Sequence, residues 1–226
     1  MPTILITGTS RGLGLEFTRQ YLKDDWHVIA CCRSLATSSN LKSLKGNIEI
    51  CELDVTDEKQ IENLAKKLST QKLDILLNNA GVGTFEDTLG KTSTTSWVST
   101  FVTNVIGPIH MVEYFRGSLL KGDKKLVVNI TSRMGSIEDN QSGQYYAYRT
   151  SKAALNMATK NLAVDLKSDN IKAVAIHPGW VKTDMGGQNA PLTVNESVTA
   201  IRRTIDTIKP QDTGSFLNYD GSKLPW

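Results

Sequence analysis

Short runs of aliphatic and β-branched residues recur along the chain, and most are followed by a stretch with helical spacing. Residues 3–7 form the first such run and predict a buried strand. Behind it, Leu13, Phe17, Tyr21 and Leu22 fall on one side of a helix. Residues 26–32, 47–53, 73–77, 125–131, 171–176 and 215–219 repeat the strand pattern. Residues 34–46 are polar and predict a loop or weak helix. Ile61, Leu64, Ala65 and Leu68 have helical spacing behind a cap at Thr56 or Asp57. Residues 82–95 are turn-rich. Residues 96–120 predict one long helix, kinked at Gly107-Pro108. A helix through Tyr148 extends to about Ser168, and residues 195–208 form another, capped by Thr193 or Asn195. Alternating strands and helices predict an α/β fold: one doubly wound domain over residues 1–226, with a parallel sheet and helices on both faces.

Composition narrows the classes of function. The chain has 226 residues, 39% hydrophobic and 22% charged, as expected for an ordinary globular domain with a sizeable core. A net charge of +3 without a basic run gives no case for nucleic acid or an anionic membrane as the main partner. No apolar run approaches the roughly 18 residues of a membrane span, and the N-terminal run is too short for a signal peptide. A cytoplasmic location is therefore expected. Cys31, Cys32 and Cys51 have no metal-ligand spacing and read as buried, reduced thiols. Cys31 and Cys32, being adjacent, should point to opposite faces of a strand. His27, His110 and His177 show no ligand pattern and read as structural, so no metal site is expected.

The candidate chemistry gathers at the ends of the predicted strands. The first strand opens into Gly8-Thr9-Ser10-Arg11-Gly12-Leu13-Gly14 and then a helix. Glycines let the backbone approach a pyrophosphate, and the free amides of a helix N-terminus face the anion. The second strand ends at Arg33, with no carboxylate nearby; an arginine there suits the 2′-phosphate of NADP, and Arg11 adds a second positive charge. Asp54 follows the third strand, Asn78-Asn79-Ala80-Gly81 the fourth, and Ser132 the fifth. Asn104 sits inside a helix despite its poor propensity, which leaves two readings: a functional amide or one that satisfies backbone groups. Tyr148 and Lys152, at i and i+4, share a helix face with Cβ atoms about 5–6 Å apart. A nearby ammonium favours the phenolate and is expected to pull the tyrosine pKa down toward the useful range. Four residues after Tyr145 and Tyr146 come Arg149 and Thr150, so Tyr148 alone of the three has a lysine in that place.

Taken together, Thr7-Gly8-x-x-x-Gly12-x-Gly14, Asn78-Asn79-Ala80-Gly81, Asn104, Ser132, Tyr148-x-x-x-Lys152 and Pro178-Gly179 resemble the short-chain dehydrogenase/reductase family over essentially the whole chain. The length and glycine spacing match its compact subgroup. Residues 146–152, 177–187 and 218–221 look like those of the sniffer-type carbonyl reductases, which are related to the C-factor group. The resemblance implies a seven-stranded Rossmann-type sheet and transfer of the pro-S hydride of NADP(H). It implies that Tyr148 is the general acid, that Lys152 lowers its pKa and binds the nicotinamide ribose, that Ser132 hydrogen-bonds the substrate oxygen, and that Asn104 holds a water in a proton relay. Gly8, Ser10, Arg11, Gly12, Leu13 and Gly14 would cradle the dinucleotide, Arg33 face the 2′-phosphate, and Asp54 and Val55 flank the adenine. Asn79, Ala80 and Gly81 would line the cofactor, with Pro178, Gly179, Val181 and Thr183 at its nicotinamide end. The stretch between Ser132 and Tyr148 is a few residues longer than in many compact members, which affects the pocket wall.

The activity so implied is an NADP(H)-dependent oxidoreductase acting on a small-molecule carbonyl or alcohol, and the rival is a cofactor-binding regulatory protein with little turnover. Preference for NAD is a third option, which Arg33 opposes. Met134, Ile137, Tyr145, Trp180 and Met185 flank the candidate catalytic positions and form either a pocket wall or ordinary core. Family members often pair through the helices carrying Asn104 and Tyr148, so a homodimer is expected. Trp97, Phe101 and Phe115 would be buried either in that interface or within the monomer.

Overall fold

The computed structural model describes residues 1–36, 38–83, 85 and 87–226. The elements run β1 (Thr3–Thr7), α1 (Gly12–Lys23), β2 (His27–Cys32), α2 (Ser39–Lys42), β3 (Ile48–Glu52), α3 (Glu58–Lys67) and β4 (Ile75–Asn78). They continue with α4 (Thr94–Phe101), α5 (Gly107–Lys121), β5 (Leu126–Ile130), α6 (Tyr146–Asp165), β6 (Lys172–His177), α7 (Val194–Thr207) and β7 (Phe216–Asn218). The strands form one seven-stranded sheet in the order β3-β2-β1-β4-β5-β6-β7, with every neighbouring pair parallel. The order reverses between β1 and β4. Connections leaving those two strands diverge to opposite faces, which opens a crevice at their carboxyl ends.

Strand periodicity divides the core into two layers. Ile4 and Ile6 pack with Phe17, Leu22, Val198 and Ile201 beneath α1 and α7. Leu5 packs on the other face with Ile61, Phe115 and Leu119 beneath α3 and α5. Fully burying each such aliphatic or aromatic side chain contributes roughly 1.5–3 kcal/mol. Cys31 and Cys32 fall in opposite layers, as their adjacency predicts, and all three cysteines are free thiols.

Helix ends decide between the alternative caps. Asp57 caps α3, accepting from Gln60 N at 3.1 Å, whereas the Thr56 hydroxyl donates to Asp54 Oδ1 at 2.8 Å. Thr193 caps α7 in a reciprocal box: its Oγ1 accepts from Glu196 N at 3.2 Å, and its N donates to Glu196 Oε2 at 2.9 Å. α6 is shorter than expected. It ends at Asp165, and a 3₁₀ turn over Lys167–Asp169 stops at Asn170 in the left-handed region, φ 56°.

The long helix expected over residues 96–120 is continuous, but its irregularity lies one turn earlier than Gly107-Pro108. Residues Val102–Ile106 form a π-helical turn between α4 and α5, with Asn104 at its centre. The cause is Pro108. It has no N–H to give to the carbonyl of Asn104, the α-helical acceptor four residues back, and its ring crowds the preceding turn. Of the three aromatic residues in this stretch, Phe115 is monomer core, while Trp97 and Phe101 are half-buried.

Candidate active site

A cleft of about 800 Å³ lies beyond the carboxyl ends of the strands, bounded by the glycine turn, the ends of β2–β5 and the loop after β6. Its size falls within the roughly 300–1,000 Å³ of small-molecule and cofactor sites. Gly8, Ser10, Arg11, Gly12, Leu13, Gly14, Arg33, Asp54, Val55, Asn79, Ala80, Gly81, Tyr148, Lys152, Pro178 and Thr183 all line it, as the sequence predicts. Asn104, Ser132, Gly179 and Val181 do not. Val181 is buried behind the wall, bridged to Leu192, and a side chain at Gly179 would meet Leu192 Cδ1 at 2.4 Å. Ser34, Val82, Thr103, Ile130, Lys182 and Asp184 also line the cleft and were not singled out from the sequence. All but Thr103 lie at or just beyond strand ends or in the loop after β6, so position relative to the strands was the available signal.

At the glycine turn, Gly8 has φ 71°, and a Cβ on Gly14 would sit 2.1 Å from the Gly8 carbonyl. Neither position accepts a side chain without displacing the turn. Asn79 ties this turn to β4: its Nδ2 donates to the carbonyls of Thr7 at 2.9 Å and Gly8 at 3.2 Å. The first amides of α1 have no helical partner, and no acidic residue occupies its first turn. Arg33 and Arg11 are exposed residues that line the cleft, and Arg11 reaches Asp184 at 3.3 Å. Free amides, positive charge and a glycine surface fit a dinucleotide carrying an extra phosphate.

Of the four candidate catalytic side chains, Tyr148 and Lys152 line the cleft, while Ser132 and Asn104 are buried. Lys152 is 5% exposed, and its Nζ donates to the Ile130 carbonyl at 3.0 Å. Burial pushes its pKa down to about 8. Tyr148 is buried with its ring 5.8 Å, centroid to Nζ, from Lys152, and the Ser132 side chain is close enough to favour its phenolate. Lys152 does not produce the expected lowering of its pKa. Burial raises the phenol above its ordinary value, and Ser132 offsets only part of that rise. The same burial weakens the charge of the lysine. Ser132 Oγ accepts from Met134 N at 3.1 Å, which leaves its proton free to donate.

Asn104 is fully buried. Its Oδ1 accepts from Val82 N at 2.9 Å, and its Nδ2 donates to Val82 O at 2.8 Å and Ser151 Oγ at 3.0 Å. Its side chain satisfies backbone groups, which was one of the two readings open from the sequence; its main-chain carbonyl is the group that Pro108 leaves without an α-helical donor. A Cβ on Gly81 would lie 3.4 Å from Asn104 Oδ1 and 3.6 Å from Lys152 Nζ, so both flank the same part of the cleft.

The suggested apolar wall is only partly there. Met185 lines the cleft, but Ile137 and Trp180 are exposed, and Trp180 Nε1 donates to Gly186 O at 2.7 Å within its own loop. Tyr145 packs on Phe85, which also packs on Tyr148; Phe85 went unnoticed because a single phenylalanine in a polar loop carries no sequence signal. His177 is half-buried and held neutral, with desolvation and then Arg133 lowering its pKa to about 4, in keeping with a structural role. Among the described residues there is no group of three or more metal-ligating side chains and no helix long and apolar enough to cross a membrane.

The model of the short chain dehydrogenase family matches residues 2–191. The C-signal protein of Myxococcus xanthus is 41% identical over 162 residues, covering 72% of this chain and 98% of that protein. The structure of the carbonyl reductase Sniffer of D. melanogaster superposes with a TM-score of 0.94 at 35% identity over 100% of both chains. The NADPH-bound carbonyl reductase from chicken fatty liver superposes with a TM-score of 0.92 at 34% identity, covering 100% of this chain and 99% of that one.

Proposed function

Because the chain belongs to the short chain dehydrogenase family, we propose that it is an NADP(H)-dependent carbonyl reductase, interconverting a small carbonyl compound and its alcohol. The observation that carries this reading is the presence of Tyr148 and Lys152 in one cleft with a glycine turn and two arginines, with Asn104 packed close to the cleft-lining Gly81. NADPH, when bound, supplies the hydride. Gly8, Ser10, Arg11, Gly12, Leu13 and Gly14 hold the dinucleotide. Arg33 meets the 2′-phosphate, and Asp54 and Val55 flank the adenine. Asn79, Ala80, Gly81, Pro178 and Thr183 border the nicotinamide half, with Gly179 and Val181 shaping the turn behind it.

Tyr148 donates its proton to the carbonyl oxygen, a role that the raised pKa favours because it keeps the phenol protonated through neutral pH. Ser132, whose proton is free, donates to the same oxygen, where negative charge develops. Lys152 spends one ammonium proton on Ile130 and has two for the ribose and the proton relay. The Asn104 carbonyl accepts from the relay water. We further propose that the protein is cytoplasmic and works as a homodimer through α4 and α6, whose side chains Val98, Met157 and Val164 are exposed.

The test mixes protein, NADPH and a panel of reactive carbonyls such as isatin and quinones. NADPH oxidation that Tyr148→Phe abolishes supports the reading; a silent panel sinks it. Similarity to the C-signal protein favours a second reading, a cofactor-binding regulator with little turnover. Calorimetry showing tight NADPH binding by a protein with undetectable turnover would select it.

A further inference from the structure

The helix that carries Tyr148 and Lys152 starts without a cap of its own. Gln144 and Tyr145 both adopt the left-handed region, φ 57° and 52°, and the residue at the N-cap, Tyr145, gives its helix no side-chain hydrogen bond. The first amides of a helix have no helical partner. Here the start of α6 is satisfied by one residue sixty positions earlier in sequence. The Asp87 carbonyl accepts from Tyr145 N at 2.8 Å, and Asp87 Oδ2 accepts from Ala147 N at 2.6 Å. Asp87 is 7% exposed, and its other carboxylate oxygen, Oδ1, is buried with no hydrogen-bond partner among the described residues. A half-satisfied buried carboxylate costs free energy, which its charge at the positive end of a 20-residue helix offsets. Two residues before it, Phe85 sets its ring 5.5 Å from that of Tyr145 and 5.2 Å from that of Tyr148. After the same loop, Trp97 Nε1 donates to Thr150 Oγ1 at 2.9 Å. The segment between β4 and α5 thus grips residues 145, 147, 148 and 150.

We propose that Asp87 is a positioning residue for the reaction: a cap supplied from outside the helix that sets the first turn of α6 and so holds the Tyr148 hydroxyl against Ser132. Tyr148 directly follows the residue whose amide Asp87 binds, so loss of this anchor moves the proton donor while leaving the glycine turn and Arg33 untouched. The inference rests on the carbonyl-reductase reading.

The test compares wild type, Asp87→Ala and Asp87→Asn in steady-state NADPH oxidation and in backbone amide exchange across residues 145–149. Asp87→Ala should lower kcat about 10- to 100-fold, the scale of a small misplacement of reacting groups, with KM for NADPH changed less than about twofold. It should also speed exchange in the first turn of α6. Asp87→Asn keeps an equivalent acceptor and should restore kcat to within about threefold and exchange to the wild-type rate. Should Asp87→Ala not fold, Asp87→Ser, with a shorter acceptor, carries the same comparison. Wild-type exchange rates in the Ala or Ser variant, or faster exchange with unchanged kcat, overturns the inference. A wild type that oxidises no NADPH indicts the reductase reading instead; an active wild type beside an indifferent Asp87→Ala indicts this one.

Discussion

Lys152 places an ammonium in a site that burial makes hostile to it, and the consequence can be measured without any substrate. Its pKa falls from the ordinary lysine value of 10.5 to about 8. Converted at about 1.4 kcal/mol for each tenfold change, that difference is a penalty of about 3 kcal/mol on the folded, charged form. The folded pKa lies below the unfolded one, so the penalty is complete below pH 8. It fades as pH rises toward the unfolded value, where both states are neutral, and stability gains with pH in that window because the unfolded chain binds more protons. Replacing Lys152 by Met removes the penalty but leaves the Ile130 carbonyl without its donor, at a cost of roughly 1–3 kcal/mol. Near pH 7 the variant should therefore match the wild type or exceed it by up to about 2 kcal/mol, while losing turnover. The sharper expectation concerns the difference between the two proteins, in which all other titrating groups cancel. Urea unfolding at pH 7 and pH 10 should show the wild type gaining about 2–3 kcal/mol on Lys152→Met across that interval. Parallel profiles from pH 7 to pH 10 would refute the argument, because they would mean that Lys152 is as well solvated folded as unfolded.

Three further expectations concern activity and assembly. For carbonyl reduction, kcat/KM for NADPH should be level near pH 6–7 and fall as pH rises through about 8, where free-enzyme Lys152 loses its charge; alcohol oxidation, which needs the Tyr148 phenolate, should instead rise with pH. A reduction optimum above pH 9 would contradict both signs. Arg33→Asp should weaken NADPH binding about 10- to 100-fold, the worth of one charge-assisted contact, and leave NADH nearly unchanged in calorimetry; equal losses for both cofactors would detach Arg33 from the 2′-phosphate. Sizing chromatography should show a dimer for the wild type and a monomer for Val164→Asp, since Val164 and Met157 share one exposed face of α6; a monomeric wild type would end the homodimer proposal.

What could be read from the sequence was what depends on short separations. Short continuous apolar runs marked all seven strands because a central strand of a parallel sheet buries both faces, whereas the strand order is a tertiary property that no local run carries. The glycine turn, Arg33 and the ends of β4 and β5 were legible for the same reason: a doubly wound sheet delivers strand ends to one crevice. The kink was misplaced by one turn because a proline's effect falls on the residue four positions before it, which moved the irregularity onto Asn104. Asp87 was invisible because its partner amides lie 58 and 60 residues away, and nothing local marks an aspartate in a polar loop as a cap for another helix. The Tyr148–Lys152 pair shows the limit most sharply. Spacing alone put the lysine beside the tyrosine, and spacing suggested that it would lower the phenol's pKa. The sign turned on burial, a tertiary quantity that acts on both groups at once: it raises the phenol and lowers the ammonium. The two pKa values are thereby pushed apart, the ammonium's falling below the phenol's, with the phenol still protonated at neutral pH. That arrangement suits a site that delivers a proton to a carbonyl oxygen better than one that waits to remove a proton from an alcohol.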